Sequence, residues 1–199
     1  MTSKTNKIIS AVVIIAVVLA IAVLVYVNLP KQTETPEDNN QDNKIIPPTF
    51  ALIYNDEQTN FTLALLERLE PYTAKGGYAT QSGSIKGVGN YTGVNITTLI
   101  NTLQPIPYRY SLEVISDDGS YSFNYTTIMG YVNVYDPENG SILIGKRNMT
   151  MVLAYQFEGD WFNETNDGKL KIVFLDENGS ITESALWRKK VNSIRVITE

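Results

Sequence analysis

Three hydrophobic patterns follow one another along this 199-residue chain. Residues 8–29 are apolar except for Ser10 and Asn28, and about twenty such residues in a helix span the hydrocarbon core of a membrane. Residues 30–48 are rich in Pro, Asn, Gln and acidic residues, which is typical of a disordered or extended linker. We therefore predict a cytoplasmic N-terminus at residues 1–7, a transmembrane helix at 8–29, a linker at 30–48 and one folded domain at 49–199.

The charges that flank the apolar segment predict its orientation. Lys4 and Lys7 precede it, whereas acidic residues dominate the linker. Positive residues favour the cytoplasmic side, so the domain at 49–199 is expected outside the cell. A cleaved signal peptide is an alternative, since residues 20–22 have a small-X-small form, but the apolar run continues past them. A pilin-like filament subunit is another, although no small residue stands just before Ile8.

Within the folded domain, two short helices are predicted by their apolar spacing. Thr62 opens a leucine-rich segment that Pro71 ends. The second helix follows residue 95, has an apolar stripe at i, i+3, i+4 and i+7, and ends before Pro105. The glycine-rich residues 73–95 between them lack phosphate-binding spacings, and we expect loops and irregular strands there.

Beyond residue 107 the pattern changes to strands and turns. Residues 110–116 and 121–126 alternate around the turn Asp117-Asp118-Gly119, which predicts a hairpin with Asn124 on its wet face. Apolar runs at 151–155 and 170–175 predict two further strands, and residues 136–140 and 176–179 predict tight turns. The fold class expected is α+β, as a mixed, β-rich domain.

Composition excludes several chemistries. The chain has no cysteine and no histidine, so it cannot form disulfides, thiolate metal sites or a Ser-His-Asp triad. Beyond the apolar segment 14 basic residues face 21 acidic ones, which disfavours nucleic acid as a partner. The acidic turns lack the ligand spacing of a calcium loop. The basic pair at 146–147 and the basic triplet at 188–190 are expected to be solvated faces, and no spacing singles out a catalytic pair.

Eight asparagines stand in the Asn-X-Ser/Thr frame of N-glycosylation, all beyond the apolar segment. Thirteen asparagines follow residue 43, and the Ser and Thr frequency would place roughly two of them in this frame by chance. The excess indicates export, with a Thr-rich surface as the alternative reading. The expected glycosylation sites are Asn60, Asn90, Asn95, Asn124, Asn139, Asn148, Asn163 and Asn178.

Six segments carry a family resemblance. They are FTLALLERLE at 61–70, YTGVNITTLINTL at 91–103, DDGSYSFNY at 117–125, MVLAYQFEGDWF at 151–162, KLKIVFLDENGSI at 169–181 and WRKKVNSIRVI at 187–197. In this order they resemble the oxidoreductase molybdopterin-binding domain of sulfite oxidase type, as found in exported archaeal proteins. The resemblance runs from about Phe50 to Ile197 and implies that fold.

The same resemblance implies a cofactor site that the residues do not support. In catalytic members a cysteine thiolate ligates molybdenum, whereas the corresponding residues 73–78 here offer Gly76-Gly77 and no thiol. Lys-Leu-Lys at 169–171 also replaces a Gly-Pro-Leu that is frequent in the family. We therefore expect no cofactor, molybdopterin being implied by the resemblance alone, and no metal or catalytic residue.

The expected function is that of a non-catalytic binding or structural module at the cell surface. It would be anchored in the membrane of an archaeal-like cell, be glycosylated, and take a surface protein or a small molecule as its partner. Alternatives are an exported oxidoreductase subunit that binds a molybdenum or tungsten pterin, and a filament subunit.

Overall fold

The computed structural model describes residues 49–105 and 108–198. These residues form a β-rich, mixed-sheet domain with few helices, which confirms the predicted fold class at this level. The predicted transmembrane helix, the linker and the N-terminal residues 1–7 lie outside the described residues. Within the described ranges, no helix is long and apolar enough to cross a membrane.

The described residues contain thirteen strands and three short α-helices. The strands are β1 (Phe50–Tyr54), β2 (Glu57–Phe61), β3 (Pro71–Ala79), β4 (Ile85–Asn95), β5 (Tyr110–Ser116), β6 (Gly119–Phe123), β7 (Tyr131–Tyr135), β8 (Leu143–Asn148), β9 (Thr150–Phe157), β10 (Asp160–Trp161), β11 (Lys171–Leu175), β12 (Ile181–Glu183) and β13 (Val191–Thr198). The helices are α1 (Leu63–Arg68), α2 (Ile96–Ile100) and α3 (Tyr125–Ile128), and a single 3-10 turn covers Ser184–Leu186.

The strands form two sheets. The smaller sheet has the order β2-β1-β13-β5-β6, with β1 parallel to β13. The larger sheet has the order β10-β9-β4-β3-β12-β7-β8, and β11 pairs with β9. Reciprocal backbone hydrogen bonds of 3.2 and 3.0 Å between Lys75 and Asp176 tie the end of β11 to β3. Strands β3, β4, β9 and β11 therefore close into a ring.

This ring separates two hydrophobic cores. The larger core lies between the sheets and takes Ile172 and Phe174 from β11. The smaller core lies inside the ring and takes Val173 and Leu175 from the same strand. Successive side chains of a strand point to opposite faces, so β11 must be apolar on both. This explains why its sequence is a continuous apolar run, and β9 follows the same rule.

Side-chain caps begin all three helices. The hydroxyl of Thr62 accepts a hydrogen bond from the backbone N–H of Leu65 at 3.3 Å, and Asn95 accepts one from Thr97 at 2.9 Å. The predicted starts of the first two helices are thus confirmed. Asn124 is exposed, as predicted, but it lies just beyond β6 and not within it, because its side chain caps α3 by accepting from the backbone N–H of Thr127 at 2.9 Å. The capping bond ends the strand at Phe123, and the hairpin β5–β6 is otherwise as predicted.

The glycine-rich residues 73–95 form two long strands rather than mainly loops. Strands β3 and β4 pair over most of their length, with one register shift between Gly76 and Tyr78. At Gly93 an added Cβ would lie 2.7 Å from the carbonyl carbon of Leu153. The glycine there allows β4 to approach β9 closely. From the sequence alone, the same glycine was taken as a sign of a loop.

The two predicted acidic turns are present. Asp136 lies between β7 and β8 and accepts backbone hydrogen bonds from Glu138 at 2.8 Å and from Asn139 at 3.0 Å. Asp176 follows β11, and its carboxylate accepts from the backbone N–H of Ser180 at 2.8 Å and from its hydroxyl at 2.6 Å. Ordinary turn chemistry therefore accounts for both carboxylates.

Candidate functional site

A cavity of about 310 Å³ lies between the turn of the β5–β6 hairpin and the ring of strands. A second cavity of about 530 Å³ adjoins it. Tyr121, Ser184 and Arg188 line both. The two sheets and the 3-10 turn thus meet around one cleft, and residues distant in the chain converge there.

One wall of this cleft is aromatic. The ring centre of Trp187 lies 5.2 Å from that of Tyr78 and 5.3 Å from that of Tyr91. The indole N–H of Trp187 donates to the hydroxyl of Thr182 at 2.7 Å, and Thr182 is fully buried. The phenol of Tyr91 donates to the carbonyl oxygen of Gly87 at 2.8 Å. These two hydrogen bonds fix the orientation of the Trp187 and Tyr91 rings in the wall.

Burial raises the pKa of the Tyr91 phenol above the ordinary tyrosine value, and Tyr78, Asp167 and Glu158 add to the effect. Desolvation disfavours the charged phenolate. Tyr91 therefore remains neutral at physiological pH and serves as a hydrogen-bond donor within the wall, not as a base.

Arg188 forms the polar side of the cleft. Its backbone pairs with Ile172, donating at 3.1 Å and accepting at 2.7 Å. Its guanidinium carbon lies 3.1 Å from the ring centre of Tyr121, and its terminal nitrogens donate to the carbonyl oxygens of Trp187, at 3.2 Å, and of Ala185. Both the main chain and the side chain are therefore held in a set position.

The charge of Arg188 is not balanced by a carboxylate. Among the described residues it forms no ion pair, and its Nε is buried without a hydrogen-bond partner. Burial lowers the pKa of this guanidinium, and the nearby Tyr121 opposes the effect. Two carbonyl oxygens satisfy only two of its five N–H donors, so the terminal nitrogens retain donors for a ligand.

The other cation inside the cleft is already paired. Lys171 lies 2.8 Å from Asp167 and 4.5 Å above the ring centre of Phe162. Lys189, next to Arg188, is exposed at the rim. The cleft therefore combines an aromatic wall with Arg188, a half-buried cation without an ion pair among the described residues, while the carboxylates of Asp118 and of the paired Asp167 also line it. A ring and a free guanidinium together suit a planar anion.

The basic triplet was thus interpreted wrongly from the sequence. It was expected to be a solvated face, but Arg188 is half-buried and only Lys189 within the triplet is exposed. The other predicted basic pair, Lys146 and Arg147, is exposed as expected. The neighbouring Trp187 was the local signal that could have marked Arg188, whereas its partner Tyr121 comes from a distant hairpin.

Residues 73–78, which the resemblance would align with a metal-binding segment, leave no room for a ligating side chain at Gly76 or Gly77. A Cβ at Gly76 would lie 2.7 Å from both the Leu175 side chain and the Phe174 carbonyl oxygen. At Gly77 it would lie 2.8 Å from Ile181. Strand packing fills the space that a ligating side chain would need. In the part of the chain that the structure describes, no three acidic residues cluster in a way that could hold a metal ion.

Six of the eight sequon asparagines are exposed, and the other two, Asn90 and Asn95, are half-buried. In four of the eight, the side-chain oxygen Oδ1 accepts a hydrogen bond from a backbone N–H two or three residues further on, which forms a cap or an Asx turn. These four are Asn95, Asn124, Asn139 and Asn163. Turn chemistry therefore explains part of the asparagine pattern without modification, while leaving the Nδ2 of each free of such a bond.

No protein-family model matches the chain, and no curated protein is detectably similar to it.

Proposed function

We propose that the protein is a single-pass membrane protein whose outer, glycosylated domain binds a small planar anion in the cleft between Trp187 and Arg188. The N-terminus would lie in the cytoplasm, and residues 30–48 would tether the domain to the membrane. The observation that carries the binding proposal is Arg188, a half-buried cation without a carboxylate partner among the described residues.

An uncompensated cation in a partly buried position is costly. Removing a charge from water costs several kcal/mol unless hydrogen bonds or an opposite charge compensate it. Tyr121 and two carbonyl oxygens offset part of this cost. A bound carboxylate would offset more of it, because a guanidinium donates two parallel hydrogen bonds to such a group.

The body of the ligand is inferred from the aromatic wall. Trp187 and Tyr78 stand at ordinary aromatic stacking distance and are partly exposed, so a flat ring would cover apolar surface on entering the cleft. A cavity of about 310 Å³ is at the lower end of the size range of small-molecule sites. The ligand class is therefore a compact aromatic or planar carboxylate.

The family resemblance supports a further part of the proposal. We propose that the fold is of the sulfite-oxidase molybdopterin-domain type and is used as a scaffold for binding, without the metal chemistry. Fold and function are separable in this way, because function depends on the residues of the site. Metal analysis of the purified protein tests this, and stoichiometric molybdenum would overturn it.

Binding can be tested with benzoate as the probe, followed by the fluorescence of Trp187 in a Trp161→Phe background. A ligand of this size is expected to bind in the range of roughly 0.1–10 mM. Arg188→Gln should weaken binding by about tenfold or more, since a charged hydrogen bond is worth about 1.5–3 kcal/mol.

Lys189→Gln is the matched control, because it removes the adjacent exposed charge and should change the affinity less than twofold. Benzyl alcohol keeps the ring but lacks the carboxylate, and should bind much more weakly. Equal effects of the two substitutions, or equal binding of benzyl alcohol and benzoate, would contradict the assignment of Arg188.

A further inference from the structure

Both sheets end in strands that are exposed and paired on one side only. The five-stranded sheet ends in β2 and β6, and the larger sheet ends in β8 and β10. Four of the five residues of β2 and of β6 are exposed, as are five of six in β8 and both in β10. Such strands present unpaired N–H and C=O groups to strands of other molecules.

A sequon asparagine stands in, or within two residues after, each of these four strands. Asn60 lies in β2 and Asn148 in β8, while Asn124 directly follows β6 and Asn163 follows β10 by two residues. All four are exposed. Among the described residues, none of the four uses its Nδ2 as a hydrogen-bond donor, so the atom that would carry a glycan is free.

The remaining four sequons lie elsewhere. Asn90 and Asn95 belong to the interior strand β4, and Asn139 and Asn178 lie in the loops that follow β7 and β11. The Nδ2 of Asn90 donates to Glu158 at 3.4 Å. These positions form a natural comparison set, because glycans there would leave the sheet edges open.

The edge at β8 exposes three large apolar side chains in a row. Ile142, Leu143 and Ile144 are each more than half exposed, at 51%, 54% and 52%. A second strand would pair about 4.7–4.9 Å from β8. A branched sugar chain on Asn148 would obstruct that approach, and Lys146 and Arg147 add charge to the same edge.

We propose that the glycans at Asn60, Asn124, Asn148 and Asn163 cover the four sheet edges and sterically prevent strand pairing between copies of the domain. This inference rests on the proposed export and glycosylation. The inference assigns the glycans a role that depends on their positions in the fold and not on the number of sequons.

Two quadruple variants of the full chain test the proposal in a host that glycosylates exported proteins. Each removes four sequons with two Gln and two Ala substitutions and keeps the backbone caps that Asn95, Asn124, Asn139 and Asn163 provide. The edge variant carries Asn60→Gln, Thr126→Ala, Asn148→Gln and Thr165→Ala. The comparison variant carries Asn90→Gln, Thr97→Ala, Ser141→Ala and Asn178→Gln.

Intact mass spectrometry of the detergent-extracted chain first measures which sites carry sugar, and light scattering after size exclusion then measures the monomer fraction. We expect the edge variant to lose about half or more of its monomer at tens of micromolar, the concentration range in which exposed edges associate. The comparison variant should remain as monomeric as the parent protein. Far-ultraviolet circular dichroism of the monomer fraction should be the same for all three proteins.

The outcomes separate the two proposals. If the edge sites carry sugar but the edge variant stays monomeric, the proposal that glycans cover the edges is overturned, while the proposal that the protein is glycosylated still stands. Equal association of both variants would also overturn the proposal that glycans cover the edges, because the effect would then be general solubility. A wild-type chain with no sugar at the edge sites would overturn the inference at its premise, without bearing on benzoate binding in the cleft.

Discussion

The hydrogen bond between Trp187 and Thr182 is the interaction through which the cleft can be tested most directly. The indole N–H donates to the Thr182 hydroxyl at 2.7 Å, and no water reaches Thr182 because the residue is fully buried. Trp187→Phe removes the donor and keeps an aromatic ring, whereas Thr182→Val removes the acceptor at nearly constant volume. Together the two substitutions form a double-mutant cycle.

The expected magnitudes follow from burial. Thr182→Val should reduce the free energy of unfolding by about 1–3 kcal/mol, since the indole N–H loses its partner. Trp187→Phe should reduce it by about 2–4 kcal/mol, because a buried hydroxyl is left unsatisfied and part of a ring that packs on Tyr78 and Tyr91 is lost. The double variant should lose about 0.5–1.5 kcal/mol less than the sum, which is the contribution of the bond itself.

Urea unfolding of residues 49–199, followed by far-ultraviolet circular dichroism, measures all four corners of the cycle. Thr59→Val on the exposed strand β2 is the control for the substitution type and should change stability by less than about 0.5 kcal/mol. A coupling energy within the roughly 0.3–0.5 kcal/mol error of additivity would refute the reasoning. The wall of the cleft would then be held by packing alone.

Gly93→Ala should cost about 3 kcal/mol or more in the free energy of unfolding, because its Cβ meets the backbone of β9, whereas Gly159→Ala, with φ +85° and open space, should cost about 1–2 kcal/mol. Urea midpoints measure both, and equal costs would argue against the close approach. The raised pKa of Tyr91 means that the folded state keeps the phenol protonated more strongly than the unfolded state. Its contribution to stability is therefore complete below the unfolded pKa of 10.0 and decreases as pH rises above it. Tyr91→Phe should flatten this decrease in pH-dependent unfolding, and an unchanged slope would contradict it. Asp176→Ala should lower stability by about 1–3 kcal/mol in the same urea assay through loss of two bonds to Ser180, and an unchanged midpoint would show that the turn forms without them.

Local signals predicted local structure well. Thr62, an apolar period and Pro71 predicted the first helix, and α1 begins directly after Thr62. The turn Asp117-Asp118-Gly119 predicted the β5–β6 hairpin. These features depend on hydrogen bonds and side-chain spacing within a few residues, so the amino-acid order is sufficient to predict them.

Predictions failed at one residue that serves a distant strand and at another whose local role was misread. The glycines of residues 73–95 read as loop signals, yet Gly93 allows the approach of β4 to β9. Asn124 read as an outward strand residue, yet it caps α3. In each case the residue type was interpreted by its local preference, while the structure uses it for close packing or for ending a strand.

By itself, the amino-acid sequence determined the chemistry that this chain cannot perform, the positions of its sequons, and the short helices and hairpin that local interactions specify. Only the tertiary structure decided that Arg188, Trp187 and Tyr121 meet in one cleft and that β2, β6, β8 and β10 are the edges where sequons lie. The physical reason is that strand pairing and the packing of two sheets join residues far apart in the chain. The partners of a strand, and therefore its edge or interior position, depend on the whole fold.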